Sequence, residues 1–330
     1  MFEFVHITDL HLANKPPESR TDGYNDQIFK KLQYVFNYCV DKKLKYIALT
    51  GDLAHGHTIS DELATRFAKL VSEYDIKILF VYGNHDIQGG NTNFIHKTNF
   101  GLLEIYPWFI CVDKNPIVIE DCLIAGYDYD KEKAIQSTWL MPDIQTKLKY
   151  EKRILLTHPM IVNEATMIID GKVKQVNVHE VETNADLMLC GHYHDGFVGA
   201  VRDIALNRDF CIVNPGSLAR TAIDWNGRES KGPRFAHIKM GKKISVSFVK
   251  VPCLSHDKAF DVDKHRKQKE REEGKLNFIE AMEGLSQSQV MGENFAVQLE
   301  FTLHNPPEEL KEVVSKRVMK ICREKASKHL

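Results

Sequence analysis

Short apolar runs recur along residues 1–250, and each of them ends in a polar loop. Runs of this length that are rich in β-branched and aromatic residues are typical of buried strands. They predict strands at 2–7, 46–49, 76–81, 117–125, 154–156 and 187–189. Apolar residues recur at helical spacing over 26–42 and 60–74, which predicts helices between some of the strands. Strands that alternate with helices indicate a layered α/β domain with a mainly buried sheet.

The later part of the chain has a different pattern. Strand-like runs at 210–213, 234–240 and 244–251 follow one another closely and predict a sheet edge or a second sheet that completes the domain. A charged stretch at 257–275 is typical of a solvated helix or linker. We therefore predict a main domain over 1–252, a charged linker over 253–275 and a small α/β domain over 276–330, with helices at 278–285 and 308–325 and a strand at 295–303.

Composition changes this picture in a few respects only. Hydrophobic residues make up 43% of the 330 residues, which is enough to fill a substantial core. No apolar run approaches the ~18 residues that cross a bilayer, and no leader pattern follows Met1, so we expect a soluble cytoplasmic protein without a membrane contact. Seven scattered cysteines, none in a C-x-x-C pair, fit a reducing compartment. The formal charge of −1 provides no overall attraction to nucleic acid.

Five polar segments each follow a predicted strand. They are Asp9-Leu10-His11, Gly51-Asp52, Gly83-Asn84-His85-Asp86, His158, and Gly191-His192-Tyr193-His194. Ligands of α/β folds collect in the loops at the carboxyl ends of the strands, which is where all five segments fall. Any one segment has an ordinary explanation as a turn or a satisfied histidine. Together they predict a site for two metal ions.

The residue types in these segments suit such a site. A carboxylate such as that of Asp52 can bridge two cations, and Asn84 offers a neutral amide oxygen. The imidazole of His85 can donate a proton, and the carboxylate of Asp86 can orient that ring. The alternative for His85 is that it only orders its loop.

The five segments together resemble the calcineurin-like metallophosphoesterase superfamily, whose pattern is D-x-H, G-D, G-N-H-[DE], H and G-H-x-H. The resemblance spans residues 9–194 and implies a layered fold of two packed mixed β-sheets flanked by helices. It implies two divalent cations. The first would be held by Asp9, His11, Asp52 and His194, and the second by Asp52, Asn84, His158 and His192, with Asp52 as the bridge.

The same resemblance implies a reaction. The two cations activate a water that attacks phosphorus in line, while His85, with its ring held by Asp86, protonates the departing oxygen. Mixed nitrogen and oxygen ligands admit Mn²⁺, Fe or Zn²⁺, and the nuclease branch of the superfamily favours Mn²⁺.

Three features resemble the SbcD-type DNA repair exonucleases and the nuclease subunits of bacteriophage recombination complexes. In Gly51–His55, similar to G-D-[LI]-x-[HD], His55 would border the metal site; it is otherwise a surface histidine. In 215–220, similar to P-G-S-[LI]-x-R, Ser217 and Arg220 would contact a phosphate; the segment is otherwise a tight turn. The third feature is the small domain after the charged linker, which would cap DNA or dock on an SbcC-type ATPase. The alternative is that its helix at 308–325 packs on its own domain.

Our leading hypothesis is a Mn²⁺-dependent DNA exonuclease/endonuclease that acts as the nuclease subunit of an SbcCD-like complex, with DNA and the ATPase as partners and a homodimer as a candidate assembly. The alternative is a phosphodiesterase or phosphatase for nucleotides or small phosphate esters, favoured by the near-neutral charge. A third alternative is a non-catalytic module that binds a partner. Basic candidates for phosphate contacts are Arg20, Lys30, Lys31, Arg202, Arg220, Arg228 and Lys231.

Overall fold

The computed structural model describes residues 1–17, 20–130, 135–144, 148–163, 168–169, 172–173, 175–203, 208–221, 232–261 and 263. The chain divides into two units, Met1–Phe260 and Asp261–Leu330. The elements predicted at 278–285, 295–303 and 308–325 lie outside the described residues, as does most of the charged stretch. Within the described ranges, each helix is too short or too polar to cross a membrane.

The described chain contains three α-helices and eighteen strands. The helices are α1 (Tyr24–Asp41), α2 (Asp61–Ser72) and α3 (His256–Ala259). The strands are β1 (Phe2–Ile7), β2 (Tyr46–Thr50), β3 (Lys77–Val81), β4 (Phe109–Cys111), β5 (Ile117–Ile119), β6 (Cys122–Gly126), β7 (Thr138–Trp139), β8 (Lys152–Leu156), β9 (Ile161–Val162), β10 (Ile168–Ile169), β11 (Lys172–Val173), β12 (Val176–Asn177), β13 (Glu182–Thr183), β14 (Leu187–Leu189), β15 (Phe197–Asp203), β16 (Arg208–Asn214), β17 (Arg234–Met240) and β18 (Ile244–Lys250). Short 3₁₀ turns lie at Gln88–Gly90, Thr92–Lys97, Leu103–Ile105 and Val178–Glu180.

Twelve of these strands form two mixed sheets. The first sheet has the order β18-β17-β1-β2-β3-β4, in which β1 to β4 are parallel and β17 and β18 antiparallel. The second has the order β15-β16-β14-β8-β6-β5, with four parallel central strands and an antiparallel strand at each edge. This arrangement confirms the predicted layered α/β fold of two packed mixed sheets.

The core follows from the alternation of side chains along each strand. In β1, Phe4 faces the second sheet and packs in one cluster with Leu156 and Leu189. The neighbouring residues point the other way, and Ile7 packs in a second cluster with Phe36 of α1. A period of two residues thus lets one strand cover both layers. The far face of the second sheet is covered by a third cluster that includes Trp139, Met141 and Val176.

Several strands differ from the sequence prediction, and two of the differences have a clear physical reason. The run predicted as one strand at 117–125 is a hairpin of β5 and β6, because Glu120 adopts a left-handed φ of 53° and the chain reverses there. The strand β15 was not predicted. Its Gly199-Ala200 pair weakens the strand signal, and its pairing with β16 supplies the hydrogen bonds that local sequence does not indicate.

Helix α1 also contacts the loop after β16 through an unusual buried cation. Lys31 is 3% exposed, and its Nζ atom donates a hydrogen bond of 2.8 Å to the backbone oxygen of Leu218. Burial, with a contribution from the guanidinium of Arg20, lowers the pKa of Lys31 to about 7.

This burial predicts a pH dependence of stability. We expect the free energy of unfolding of the wild type to rise with pH between ~7 and ~10 relative to Lys31→Met. The unfolded chain keeps the lysine protonated in that window while the folded chain releases the proton, so unfolding takes up a proton and stability rises by at most ~1.4 kcal/mol per pH unit. Urea unfolding at successive pH values measures the effect. Lys30→Met, at an exposed position of the same helix, is the control, and parallel curves for the wild type and Lys31→Met would contradict the prediction.

Candidate metal centre

The predicted ligands lie where the carboxyl ends of parallel strands from both sheets come together. The loops after β1, β2 and β3 carry the residues from the first sheet, and the loops after β8 and β14 carry those from the second. The loop after β1 runs alongside the loop after β2, with hydrogen bonds from Asp9 N to Gly51 O at 3.2 Å and from His11 N to Asp52 O at 2.9 Å. These backbone bonds fix the first two segments against each other.

One group of potential ligand atoms comes from Asp9, His11 and His194. The Nε2 atoms of His11 and His194 lie 3.0 Å apart. The Oδ1 atom of Asp9 is 3.4 Å from His194 Nε2 and 3.7 Å from His11 Nε2. The structure thus brings together three of the four residues predicted for the first cation around one point.

A second group comes from Asp52, His158 and His192. The Oδ2 atom of Asp52 lies 3.2 Å from His158 Nε2 and 3.8 Å from His11 Nε2, so the same oxygen approaches both groups. Its Oδ1 atom accepts a hydrogen bond of 2.9 Å from the backbone N–H of His85. This is the position that the predicted bridging role of Asp52 requires.

Buried polar atoms without hydrogen bonds show that these residues fit a pair of divalent cations. The Oδ1 atoms of Asp9 and Asn84 and the Nε2 atom of His158 are buried and form no hydrogen bond with a described residue. Burying a polar atom costs free energy unless it binds a hydrogen-bond partner or a metal ion. His158 Nδ1 donates to the backbone oxygen of Thr50 at 2.6 Å, so Nε2 is the ring nitrogen that would bind a metal ion. Oxygen and imidazole donors suit Mn²⁺, Fe and Zn²⁺ alike.

The protein groups also compensate one another electrostatically. Burial alone would raise the pKa of Asp9, but the nearby imidazoles of His11 and His194 hold it well below its usual value. Burial likewise acts against ionisation of Asp52, yet the charge of His158 lowers its pKa to about 2. Burial lowers the pKa of His192 to about 4, so this ring is neutral and able to bind a cation at neutral pH.

Four of the predicted ligands have a strained backbone. Asp9, His11, Asp52 and His192 have φ angles of 53°, 47°, 51° and 67°, in the left-handed region that side chains with a Cβ atom seldom adopt. Strain of this kind persists only where the surroundings enforce it, and it concentrates at functional sites.

Glycine is required at two places in the same loops. Gly51 has a φ of 83°, and a Cβ atom on it would lie 2.6 Å from His158 Nδ1. A Cβ atom on Gly191 would lie 2.6 Å from Thr50 O and 2.7 Å from the same imidazole nitrogen. The glycines of the predicted motifs therefore allow the loops of the two sheets to approach closely enough to share a site.

His85 lies at the rim of the site and is held by a residue other than the predicted one. Its Nδ1 atom is 3.0 Å from the backbone oxygen of His55, and its ring stacks on the ring of His55 with centroids 5.3 Å apart. The two oxygens of Asp86 instead accept hydrogen bonds from Ala54 N at 3.0 Å and from Gly83 N at 2.9 Å. The predicted role of Asp86 in holding the His85 ring is corrected accordingly, because the ring nitrogen Nδ1 contacts the His55 carbonyl and the Asp86 carboxylate binds two backbone N–H groups.

Burial of Asp86 has an electrostatic consequence. Burial, together with the charge of Asp52, raises the pKa of Asp86 to about 7. Through its hydrogen bonds to Ala54 N and Gly83 N, Asp86 connects the loops after β2 and β3.

Of the three candidate phosphate contacts, the structure places one at the site and two in its framework. His55 is exposed, with its ring 5.4 Å from that of His11. Ser217 is buried, and its hydroxyl donates to the backbone oxygen of Asp9 at 2.9 Å or to that of Ala219 at 2.8 Å. Arg220 is buried as well and donates to Leu254 O at 2.6 Å. The structure therefore places Ser217 and Arg220 in buried contacts with backbone oxygens, and their contact with a phosphate stays a prediction.

Two residues near the ligands were missed by the motif analysis. The ring of Tyr129 lies 6.2 Å from that of His192 and 6.3 Å from that of His158, in the loop after β6. The hydroxyl of Thr8 contacts the carboxylate of Asp9 at 2.7 Å. The sequence could have indicated them only by their position, because each follows a strand whose carboxyl end lies at the edge with the predicted ligands.

This fold and this donor set define a class of protein, the metal-dependent phosphoesterases that use two cations. Residues 2–196 match the sequence profile of the Calcineurin-like phosphoesterase family, and the chain belongs to that family. It is a metal-dependent phosphoesterase, and the family implies a two-metal centre.

Individual relatives are distant in sequence. A probable cyclic nucleotide phosphodiesterase of Ruthia magnifica subsp. Calyptogena magnifica is 22% identical over 195 residues, which cover 58% of this chain and 77% of the relative. Among solved structures, a novel archaeal phosphodiesterase is 14% identical, with 75% of this chain and 100% of the other covered and a TM-score of 0.36. A dimetal phosphatase from Danio rerio is 11% identical, with 77% and 99% covered and a TM-score of 0.45.

The shared position of Asp52 predicts the effect of removing its charge. We expect Asp52→Asn to fold, because the amide keeps the shape of the side chain and its bond to His85 N, and to lose affinity for both cations. Metal content after gel filtration with Mn²⁺ measures the loss. Asp75→Asn, at an exposed position paired with Lys45, is the control. Retention of two ions at wild-type affinity in Asp52→Asn would show that Asp52 is not the bridge.

Proposed function

We propose that this chain is a two-metal phosphodiesterase that hydrolyses small nucleotide phosphodiesters, with cyclic nucleotides as the first substrate class. The observation that carries the proposal is the pair of donor groups that share Asp52, with His85 at their rim. The substrate class is supported by the relative from Ruthia magnifica, which is a probable cyclic nucleotide phosphodiesterase. We propose Mn²⁺ as the metal and the cytoplasm as the location.

The mechanism follows from what the residues hold in place. Asp9, His11, Asp52 and His194 would hold one cation, and Asp52, Asn84, His158 and His192 the other. When bound, the two cations supply Lewis acidity and an activated water for in-line displacement at phosphorus. The Nδ1–H group of His85 donates to the His55 carbonyl, which orients the ring. When the ring is also protonated at Nε2, it can transfer that proton to the departing oxygen.

The basic side chains support a small substrate. Of the candidate phosphate contacts, Arg20 forms a forked ion pair with Asp22 at 2.8 and 2.7 Å. Lys31 donates to Leu218 O, and Arg220 donates to Leu254 O. These three side chains form hydrogen bonds within the protein. The net charge of −1 adds no long-range attraction to a polyanion. Two bound cations would suffice for one small phosphodiester.

A second candidate is the DNA nuclease subunit of an SbcCD-like repair or recombination complex. The contact between His55 and His85 favours it, because the segment similar to that nuclease branch borders the metal groups as its resemblance implies. In this case DNA and an SbcC-type ATPase would be the partners, and the region over 276–330 would cap DNA or dock on the ATPase. A homodimer is the assembly that accompanies this proposal.

A substrate panel separates the two candidates. We expect the full chain with Mn²⁺ to hydrolyse 3′,5′-cyclic nucleotides with a kcat/KM at least ~10-fold above that for p-nitrophenyl phosphate, and to leave 5′- and 3′-labelled oligonucleotides intact. Asp52→Asn, purified in parallel, controls for contaminating nucleases. DNA cleavage by the wild type, alone or with the ATPase, combined with inert cyclic nucleotides would overturn the first proposal in favour of the second.

The role of His85 as the proton donor predicts a dependence on the leaving group. We expect His85→Asn to lose ~10²- to 10⁴-fold in kcat with a nucleoside leaving group while both cations stay bound. With bis-(p-nitrophenyl) phosphate the loss should be much smaller, because a nitrophenolate departs without a proton. Steady-state kinetics on both substrates, with metal content as the control, measure this. An equal loss on both substrates would mean that His85 orders the loop instead.

A further inference from the structure

Thr8 is a fully buried residue between the last residue of β1 and the predicted ligand Asp9. Its hydroxyl oxygen lies 2.7 Å from Asp9 Oδ2 and 2.9 Å from Thr50 O. The only other described donor to Asp9 Oδ2 is the backbone N–H of His192, at 3.2 Å. Because Oδ2 is held on this side, the other carboxylate oxygen faces the imidazoles of His11 and His194.

The Thr50 carbonyl connects this contact with the second group of ligands. It lies 2.6 Å from His158 Nδ1, whose ring presents Nε2 to Asp52 at 3.2 Å. A hydroxyl has one proton, and a carboxylate is a stronger acceptor than a neutral carbonyl. The proton of Thr8 is therefore directed to Asp9, and the carbonyl of Thr50 remains available to the ring N–H of His158. One hydroxyl thus stands between a carboxylate of the first group and the carbonyl that orients an imidazole of the second.

We propose that Thr8 is a positioning residue of the metal centre, whose hydroxyl fixes the Asp9 carboxylate so that Oδ1 is presented to the first cation. The Oδ1 atom is buried without a hydrogen bond to a described residue, which fits an atom that binds a metal ion. The left-handed backbone of Asp9, with a φ of 53°, brings its carboxylate close to the preceding hydroxyl. Thr8 would act on the cation only through Asp9, to which its hydroxyl is hydrogen-bonded.

The size of the effect follows from what the hydroxyl does. Partners that orient a metal ligand typically contribute ~10- to 100-fold to metal affinity. Without the hydroxyl, Asp9 Oδ2 keeps only the longer bond from His192 N, and the carboxylate can turn away from His11 and His194. The loss should fall on the first cation, because the bond from His158 to the Thr50 carbonyl does not need the hydroxyl.

Titration of the metal-free full chain with Mn²⁺ by calorimetry tests the proposal without a substrate. We expect the wild type to bind two ions. Thr8→Val keeps the shape of the side chain, and we expect it to bind one of the two ions, the first cation, ~10- to 100-fold more weakly than the wild type. Thr8→Ser keeps the hydroxyl and should restore affinity to within about threefold of the wild type. Thr98→Val is the matched control, since it removes another buried hydroxyl, one that donates to Ile95 O at 2.8 Å, and it should bind Mn²⁺ like the wild type.

Wild-type Mn²⁺ affinity in Thr8→Val, or equal weakening in Thr8→Ser and Thr8→Val, would overturn the positioning role. If Thr8→Val does not fold, Thr8→Ala compared with Thr8→Ser repeats the test without the added methyl group. The inference rests on the two-metal centre of the proposed function but not on its substrate. A wild type that binds no Mn²⁺ would overturn the centre itself, whereas a failed substrate panel would leave the inference standing.

Discussion

The burial of two carboxylates beside each other is the constraint on which the rest of this structure depends. Asp9 and Asp52 are 0% and 1% exposed, and their charges can be kept in the interior only if positive partners surround them. The imidazoles of His11, His158 and His194 lie against them, and the two-metal centre that the family implies would supply the positive charge. Since His158 and His194 follow strands of the second sheet, the two sheets must be packed face to face for the carboxylates to be tolerated at all. The site and the fold therefore depend on each other.

The loop after β16 shows how the strain at this site is maintained. A left-handed residue costs roughly 1–3 kcal/mol, and Asp9 is one of four such residues among the predicted ligands. Its backbone oxygen lies within hydrogen-bond distance of both the hydroxyl of Ser217 and the backbone N–H of Ala219, at 2.9 and 3.2 Å. The P-G-S segment thus holds the predicted metal ligand Asp9 in an unfavourable conformation. Its resemblance to a nuclease segment has a structural explanation that does not involve DNA.

Sequence reasoning was most successful where the determining interactions are local. The strands at Phe2–Ile7, Leu187–Leu189 and Arg234–Met240 have the predicted bounds, because apolar periodicity within a strand reflects its own burial. The predicted ligands converge because the carboxyl ends of parallel strands meet at one edge. The position of a side chain after a strand is therefore readable from sequence.

The roles of Asp86 and Ser217 could not be predicted from the sequence in this way. Asp86 contacts Ala54 N, and Ser217 contacts Asp9 O, partners that are distant in sequence and adjacent only after the sheets have packed. The same reason limits inference about substrate. Arg20, Lys31 and Arg220 are candidate phosphate contacts in the sequence, yet in the fold they form hydrogen bonds with Asp22, Leu218 and Leu254. If DNA is the substrate, its phosphates must meet charges other than these three, whereas a cyclic nucleotide needs only the cations and the rim around His85.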